Sequence, residues 1–437
     1  MQNDNLKFKI ILLGMLFFGI FGWAKSSWAA TINAASCSFA DVSAAVNSAT
    51  AGDTIIIPAG ACTWGANLLD LPRGMNIIGA GAGKTVIVSS GQNIQYHPNS
   101  TAAANNERVR ISGFTFNCSA NSVINIYSQN STIMMTDNRV DHNIFNNCSQ
   151  TIFFSGNIIG LVDNNSFIDA ASHWGLSVRI DGREWYSWDR FPLQLGTGMS
   201  VYVEDNIWKW TSVVNQMCTL MDCGEGGRYV FRHNTIDLTN VTVGCYPFLD
   251  AHGNQAVVDY AACPNCTTGE SSCCYSDRGT LGVEVYDNTI TANIPINLLD
   301  LRGGIGIIFN NTIIDLGSHP ADWFYWRMRE EDGCVRFDSV NTYPAYDQVK
   351  DSYFWNNKAN GIDNVISVDD DSGNPGCAGG KENTSAFFIQ KDRDYFLASP
   401  VGKIVNGTVY TPYAYPHPLR VGADTTPPAA PTGLAVN

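Results

Sequence analysis

Gly306-Ile-Ile-Phe-Asn-Asn311-Thr-Ile is one copy of a unit that recurs along this chain. The other copies run Gly160-Leu-Val-Asp-Asn-Asn165-Ser-Phe, Val201-Tyr-Val-Glu-Asp-Asn206-Ile-Trp, Tyr229-Val-Phe-Arg-His-Asn234-Thr-Ile and Val283-Glu-Val-Tyr-Asp-Asn288-Thr-Ile, with partial copies at Asp141-His-Asn143-Ile-Phe and Phe354-Trp-Asn-Asn357. From Asn143 onward the corner asparagines are separated by 22, 41, 28, 54, 23 and 46 residues. The short values equal one turn of a solenoid, and the long ones fit a turn with an insertion or two turns. Alternating apolar residues, such as Val201 and Val203 or Val283 and Val285, mark strands with one buried face. Asn tolerates the left-handed backbone that a sharp corner needs, and Asn amides stacked once per turn can hydrogen-bond along the axis. Parallel strands in a compact α/β fold need crossover helices, and no amphipathic helical pattern lies between these repeats. The repeats predict an all-β chain folded as a single parallel β-helix with loop insertions.

Composition agrees with that reading. The 437 residues are 45% hydrophobic and only 15% charged, with 40 glycines, which suits strands and turns better than long helices. A net charge of −14 argues against nucleic acid and against an anionic membrane surface as partners. Lys7 and Lys9 precede an apolar run from Ile10 to Trp23, and Ser27-Trp28-Ala29-Ala30 follows with small residues. Residues 1–30 read as a secretory signal peptide, and no transmembrane span is expected in the mature chain. The β-helix is expected over 31–420, in a protein that is secreted, extracellular, at the cell surface or periplasmic. The stretch Asp424-Thr-Thr-Pro-Pro-Ala-Ala-Pro-Thr-Gly-Leu-Ala-Val-Asn437 makes 421–437 a Pro-rich linker leading into what resembles the first strand of a fibronectin type III module. A downstream module of a longer chain is therefore an expected partner.

Export would place all thirteen cysteines in an oxidising compartment, where disulfides are the default. Cys37 and Cys62 flank a segment that begins as a short amphipathic helix (Phe39, Val42, Ala45, Val46) and ends in a strand at Thr54-Ile55-Ile56-Ile57. A Cys37–Cys62 staple closing an N-terminal cap helix is expected. Cys263-Pro-Asn-Cys266 with Cys273-Cys274 could hold zinc, but a second Cys-x-x-Cys is missing and disulfides suit the cluster better.

Several of these segments resemble a family. The cap CSFADVSAAVNSATAGDTIIIPAGACTW, followed by VRISGFTF, RVDHNIF, GLVDNNSF, VFRHNTI, VEVYDNTI and RGGIGIIFNNTI, is similar to secreted bacterial right-handed parallel β-helix proteins of the pectin-lyase-like superfamily. That resemblance covers Ala35 to Leu419 and implies the fold and its hand. It leaves the chemistry open among lyases, glycoside hydrolases, epimerases and surface proteins without activity. Arg139-Val-Asp-His142 resembles the Trp-Ile-Asp-His stretch of pectate lyases, with Arg in place of Trp. The R-x-P-x-x-R motif of those enzymes and the NTD, GHG and RIK motifs of polygalacturonases are missing.

A second motif precedes the corner unit at Leu220-Met-Asp222-Cys-Gly224, Phe248-Leu-Asp250-Ala-His252-Gly and Leu298-Leu-Asp300-Leu-Arg302-Gly. Strand alternation turns Met221, Cys223, Leu249, Ala251, Leu299 and Leu301 inward, and Asp222, Asp250, His252, Asp300 and Arg302 outward. The aspartates would then form one column, with Asp250 included if the cysteine-rich stretch after Gly253 is an insertion. Stacked carboxylates repel, so compensation is expected from Ca²⁺ held by Asp222, Asp250 and Asp300, from a carboxyl kept protonated, or from His252 and Arg302. The catalytic version makes the aspartates metal or acid/base ligands, His252 a general base and Arg302 a charge stabiliser. In the structural version the same groups only satisfy turn amides and each other.

A further outward row, Asp163, Glu204, Arg232, Tyr286 and Phe309, reads as cross-turn ion pairs on a solvated face. Tryptophans that read as lying in loop insertions, Trp174, Trp185, Trp188, Trp208, Trp323 and Trp326, are candidates for stacking on sugar rings; the alternative is a satellite core. Two function classes follow: an enzyme acting on an extracellular polysaccharide, uronate-containing polymers included, by lyase or hydrolase chemistry, or a non-catalytic adhesin or glycan-binding scaffold.

Overall fold

The computed structural model describes residues 29–119, 123–130, 132–170, 178–181, 192–214, 219–244, 247–253, 257–258, 274–275, 279–317, 319, 323–326, 348–368 and 389–420. Within these, strands of successive turns pair in parallel into three long sheets of twelve, ten and eleven strands, here called A, C and B, the last strand of B, Ile362–Asp363, alone being added antiparallel. Each turn visits C, then A, then B, as in Ile152–Gly156, Ile158–Asp163 and Ser166–Ile168. This is a parallel β-helix. Its first strand is Thr31–Asn33, and its last described element is the short 3₁₀ turn Pro418–Arg420. No described helix is long and apolar enough to cross a membrane.

The long Asn spacings are single turns carrying insertions. Asp163 pairs directly with Glu204, Glu204 with Arg232, and Arg232 with Tyr286. The corner asparagines form a continuous ladder. Side-chain amides link Asn143 to Asn165, Asn165 to Asn206, Asn206 to Asn234, Asn234 to Asn288, Asn288 to Asn311 and Asn311 to Asn357 at 2.8–3.2 Å. The left-handed corner residue is not the ladder Asn but the one before it. His142, Asn164, Asp205, His233, Asp287, Asn310 and Asn356 all have φ between 52° and 56°. The strained residue makes the turn, and its neighbour's amide points inward to bond the next rung.

Inside, rings stack from turn to turn: Phe116 on Phe145, Phe145 on Phe167 and Phe167 on Trp208, with centroids 5.5, 5.3 and 4.7 Å apart. The expected cap helix spans Phe39–Ser48, is capped by Ser38 and buries Val42, Ala45 and Val46. The Cys37–Cys62 disulfide closes it, and a second disulfide, Cys118–Cys148, ties two neighbouring turns. Gly79 to Thr85 forms a corner, with Gly81 and Gly83 at φ 122° and 76°.

The outward row on sheet A is paired as expected but is not solvated. After the last strand of sheet A, Tyr395–Phe396, residues 397–420 return across this face as a strap, and Asp163, Glu204 and Arg232 are completely buried. Arg139 donates to both oxygens of Asp163 at 2.8 Å, and Arg232 meets Glu204 at 2.6 Å. The strap supplies the remaining partners. The carbonyls of Tyr413 and Ala414 accept from Arg232, the Tyr410 hydroxyl donates to Glu284, and Arg420 lies against Glu204. Leu161, Tyr202, Val230 and Ile307 form a second apolar cluster with Leu195, Val405 and Tyr410. Residues 1–28 of the expected signal peptide, the expected linker from Val421, and Cys263, Cys266 and Cys273 lie outside the described residues.

Candidate functional site

The aspartate column lies on sheet C. Met221–Gly224, Leu249–Ala251 and Leu299–Leu301 are adjacent parallel strands, with Asp222 in register with Asp250, and Asp250 with Asp300. Met221, Cys223, Leu249, Ala251, Leu299 and Leu301 are buried inside the solenoid, which leaves the aspartates to the outer face. Adjacent strands space them by about 4.8 Å along the axis. The stretch after Gly253 is an insertion within one turn, since Arg228–Arg232 pairs directly with Gly282–Tyr286.

His252 and Arg302 follow Asp250 and Asp300 by two residues, in the same outward phase. His252 Nε2 lies 2.8 Å from Asp222 Oδ1 and 3.3 Å from Asp250 Oδ2. Arg302 grips Asp250 through two bonds, Nε to Oδ1 at 3.0 Å and Nη2 to Oδ2 at 2.5 Å. Burial opposes a charge on His252, but the carboxylates of Asp222 and Asp250 outweigh it and push the imidazole up to about 9. The ring is therefore a cation at neutral pH. His252 and Arg302 set two cationic groups against the stacked aspartates. The cluster is also well shielded, with Asp250 6%, Asp300 3% and Arg302 7% exposed.

These residues are a poor fit for Ca²⁺. Asp222, Asp250 and His252 converge with ligand atoms within 4.8 Å of one another, and Asp300 is not a member of that group. Ca²⁺ takes six to eight oxygen ligands, whereas here two carboxylates share the space with an imidazole, and a guanidinium already holds both oxygens of Asp250.

The tryptophan candidates divide. Trp208, Trp323 and Trp326 are at most 1% exposed and fill the solenoid interior, so they present no face to a sugar. Trp208 pairs in register with Phe167 and Ile236, and Trp326 with Leu301; each sits at an inward position of a strand rather than in an insertion. Trp174, Trp185 and Trp188 lie outside the described residues. The Arg139-Val-Asp-His142 stretch serves sheet A instead. Asp141 accepts from Arg110 and lies 2.7 Å from His142 Nδ1.

One set of outer residues went unread in the sequence. The register that aligns the aspartates also places Gln95, Asn125, Phe153 and the Arg179 position in the same column toward the N-terminus, and Tyr325 beyond Asp300. His97 and Tyr127 stack beside that column at 4.2 Å between centroids. Period-two alternation through Ile124–Ser128 and Ile152–Gly156 was the available signal. No protein-family model and no curated protein matches this chain.

Proposed function

We propose that the outer face of sheet C binds an extracellular polysaccharide and cleaves it at the Asp222–Asp250–His252–Arg302–Asp300 cluster. The observation that supports this reading is the position of His252, an imidazolium between two in-register carboxylates on a face extending over ten parallel strands. Cleavage of a glycosidic link, by hydrolysis or by elimination beside a uronate carboxyl, needs one group that gives a proton and one that takes it. His252 is the donor here rather than the base the sequence suggested, because it carries its proton at neutral pH. Asp222 and Asp300 are the acceptors, and Arg302 fixes Asp250 and contributes positive charge. The parallel β-helix and the two disulfides support the resemblance to secreted proteins of the pectin-lyase-like superfamily.

A second reading is favoured by the charge compensation itself. Arg302 and His252 could serve only to make an acidic stack tolerable on the wall of a rigid glycan-binding scaffold. Incubation with alginate, pectin, a glycosaminoglycan and dextran separates the two, with unsaturated uronate absorbance and new reducing ends as readouts. Product from any polymer, lost in Asp250→Ala, supports cleavage. Binding without product supports the scaffold. Full activity in Asp250→Ala removes the cluster from catalysis.

A further inference from the structure

The bonds of Ala30 distinguish between neighbouring sites at which the leader could be removed. Its N–H donates to Asp53 Oδ1 at 2.7 Å, and its carbonyl accepts from Thr54 N at 2.8 Å. Ala29 and Ala30 are both exposed, but Ala29 makes no hydrogen bond among the described residues. Asp53 is only 3% exposed, although it lies next to the chain start. Its other oxygen accepts from Thr50 N at 2.7 Å and from Thr50 Oγ1 at 2.9 Å. The carboxylate thus has one oxygen held by its own turn and the other by the Ala30 nitrogen.

Ser27 and Ala29 occupy the third and first positions before the Ala29–Ala30 bond, where leader peptidases require small side chains. We propose that the leader is hydrolysed between Ala29 and Ala30, and that the new Ala30 α-ammonium forms an ion pair with Asp53. Water supplies a hydroxyl to the Ala29 carbonyl carbon and a proton to the Ala30 nitrogen, and a second proton from solvent completes the ammonium. An amide–carboxylate bond thereby becomes a charge-assisted one in the same place. Cleavage after Ala30 would delete both bonds and leave Asp53 Oδ1 and Thr54 N–H unpartnered. Cleavage further upstream would leave the nitrogen a neutral amide. Processing and the stability of the first turn are coupled through one carboxylate. This inference rests on the leader reading and is independent of any activity on sheet C.

The ordinary α-amino pKa is about 7.7–8.0, and the pair with Asp53 raises it in the folded chain, so its stabilisation is full below that range and fades as pH climbs through the raised value. Other charges face this corner: Arg73 acts on Asp53, and Arg108, Arg110, Asp137 and Arg139 line the adjoining cavity with Ala29. They are common to every variant compared below.

The test begins with the full chain secreted on its own leader, its N-terminus read by intact mass and terminal sequencing. The expected product starts Ala30-Thr31-Ile32-Asn33; a product starting elsewhere overturns the proposal. A chain starting at Ala30 is then compared with one carrying a single Gly before it, each with and without Asp53→Asn. From about pH 6 to about pH 10, the Ala30-starting chain should show a thermal midpoint several degrees above the Gly-extended chain at the acid end, and no advantage at the alkaline end. Asp53→Asn should abolish the difference. Equal midpoints at every pH overturn the ion pair even when the N-terminus is correct. If the Asp53→Asn chains do not fold, the Gly comparison alone decides.

Discussion

His252 is the residue on which most of the site's electrostatics turn. Its folded pKa of about 9 lies above the ordinary imidazole value, so its stabilisation is complete below about pH 6.5 and disappears as pH rises through about 9, a change of about 3 kcal/mol. Urea denaturation of the wild type should show that loss between these limits, and His252→Gln should show a flat profile across them. Asp250 has the opposite role, as the anion that both cations share. Asp250→Ala leaves Arg302 shielded without its bidentate partner and should cost about 3–5 kcal/mol, measured by denaturant midpoint. If the cluster is catalytic, turnover should also fall by about 10²–10⁴-fold. Asp222, Asp250, His252, Asp300 and Arg302 could all be picked out in the sequence because strand alternation assigns a side to each. The protonation of His252 could not, because it depends on two carboxylates brought alongside from neighbouring strands.

At the scale of the element, the corner is a two-residue device in which one residue bends the backbone and the next ties the rungs. The two should respond differently to mutation. Asn234→Ala removes the bonds to Val203 O and Asn288 Oδ1 and orphans the Asn206 N–H, all in a dry interior. A loss of about 2–4 kcal/mol is expected by denaturant unfolding. At the preceding position, Asn310→Ala should cost roughly 1–2 kcal/mol for holding a side chain left-handed, whereas Asn310→Gly should be nearly neutral. The sequence showed the paired residues Asp-Asn, His-Asn and Asn-Asn at each corner, but not their division of labour, since either member tolerates the left-handed region. Strand assignment was surer. The inward positions hold Val, Ile, Leu and Phe at period two, and that spacing is a local property.

Across the whole molecule, the strap from 397 to 420 changes what sheet A is. Its outward charges read as a wet surface, and the strap makes them a buried network that also holds an apolar cluster. Arg232→Ala would deprive Glu204 Oε2 of its guanidinium partner, leaving Arg420 on Oε1, and would take the donor from Tyr413 O and Ala414 O, at an expected cost of about 3–5 kcal/mol. Limited proteolysis should then cut between Gly402 and Arg420 faster than in the wild type, because the strap loses its central anchor. Unchanged cleavage there would show that the apolar contacts of Tyr410 and Val405 hold the strap without it.

The sequence by itself determined the solenoid, its cap helix, the Cys37–Cys62 staple and the outward aspartate column, because each follows from short-range periodicity or from residues that the repeat must align. The tertiary structure alone decided that the outward face of sheet A is covered, which tryptophans are core, and how the acidic column is compensated. Those properties depend on segments far apart in the chain, such as Arg232 and Ala414 or Arg302 and Asp250, and on burial that no local pattern encodes.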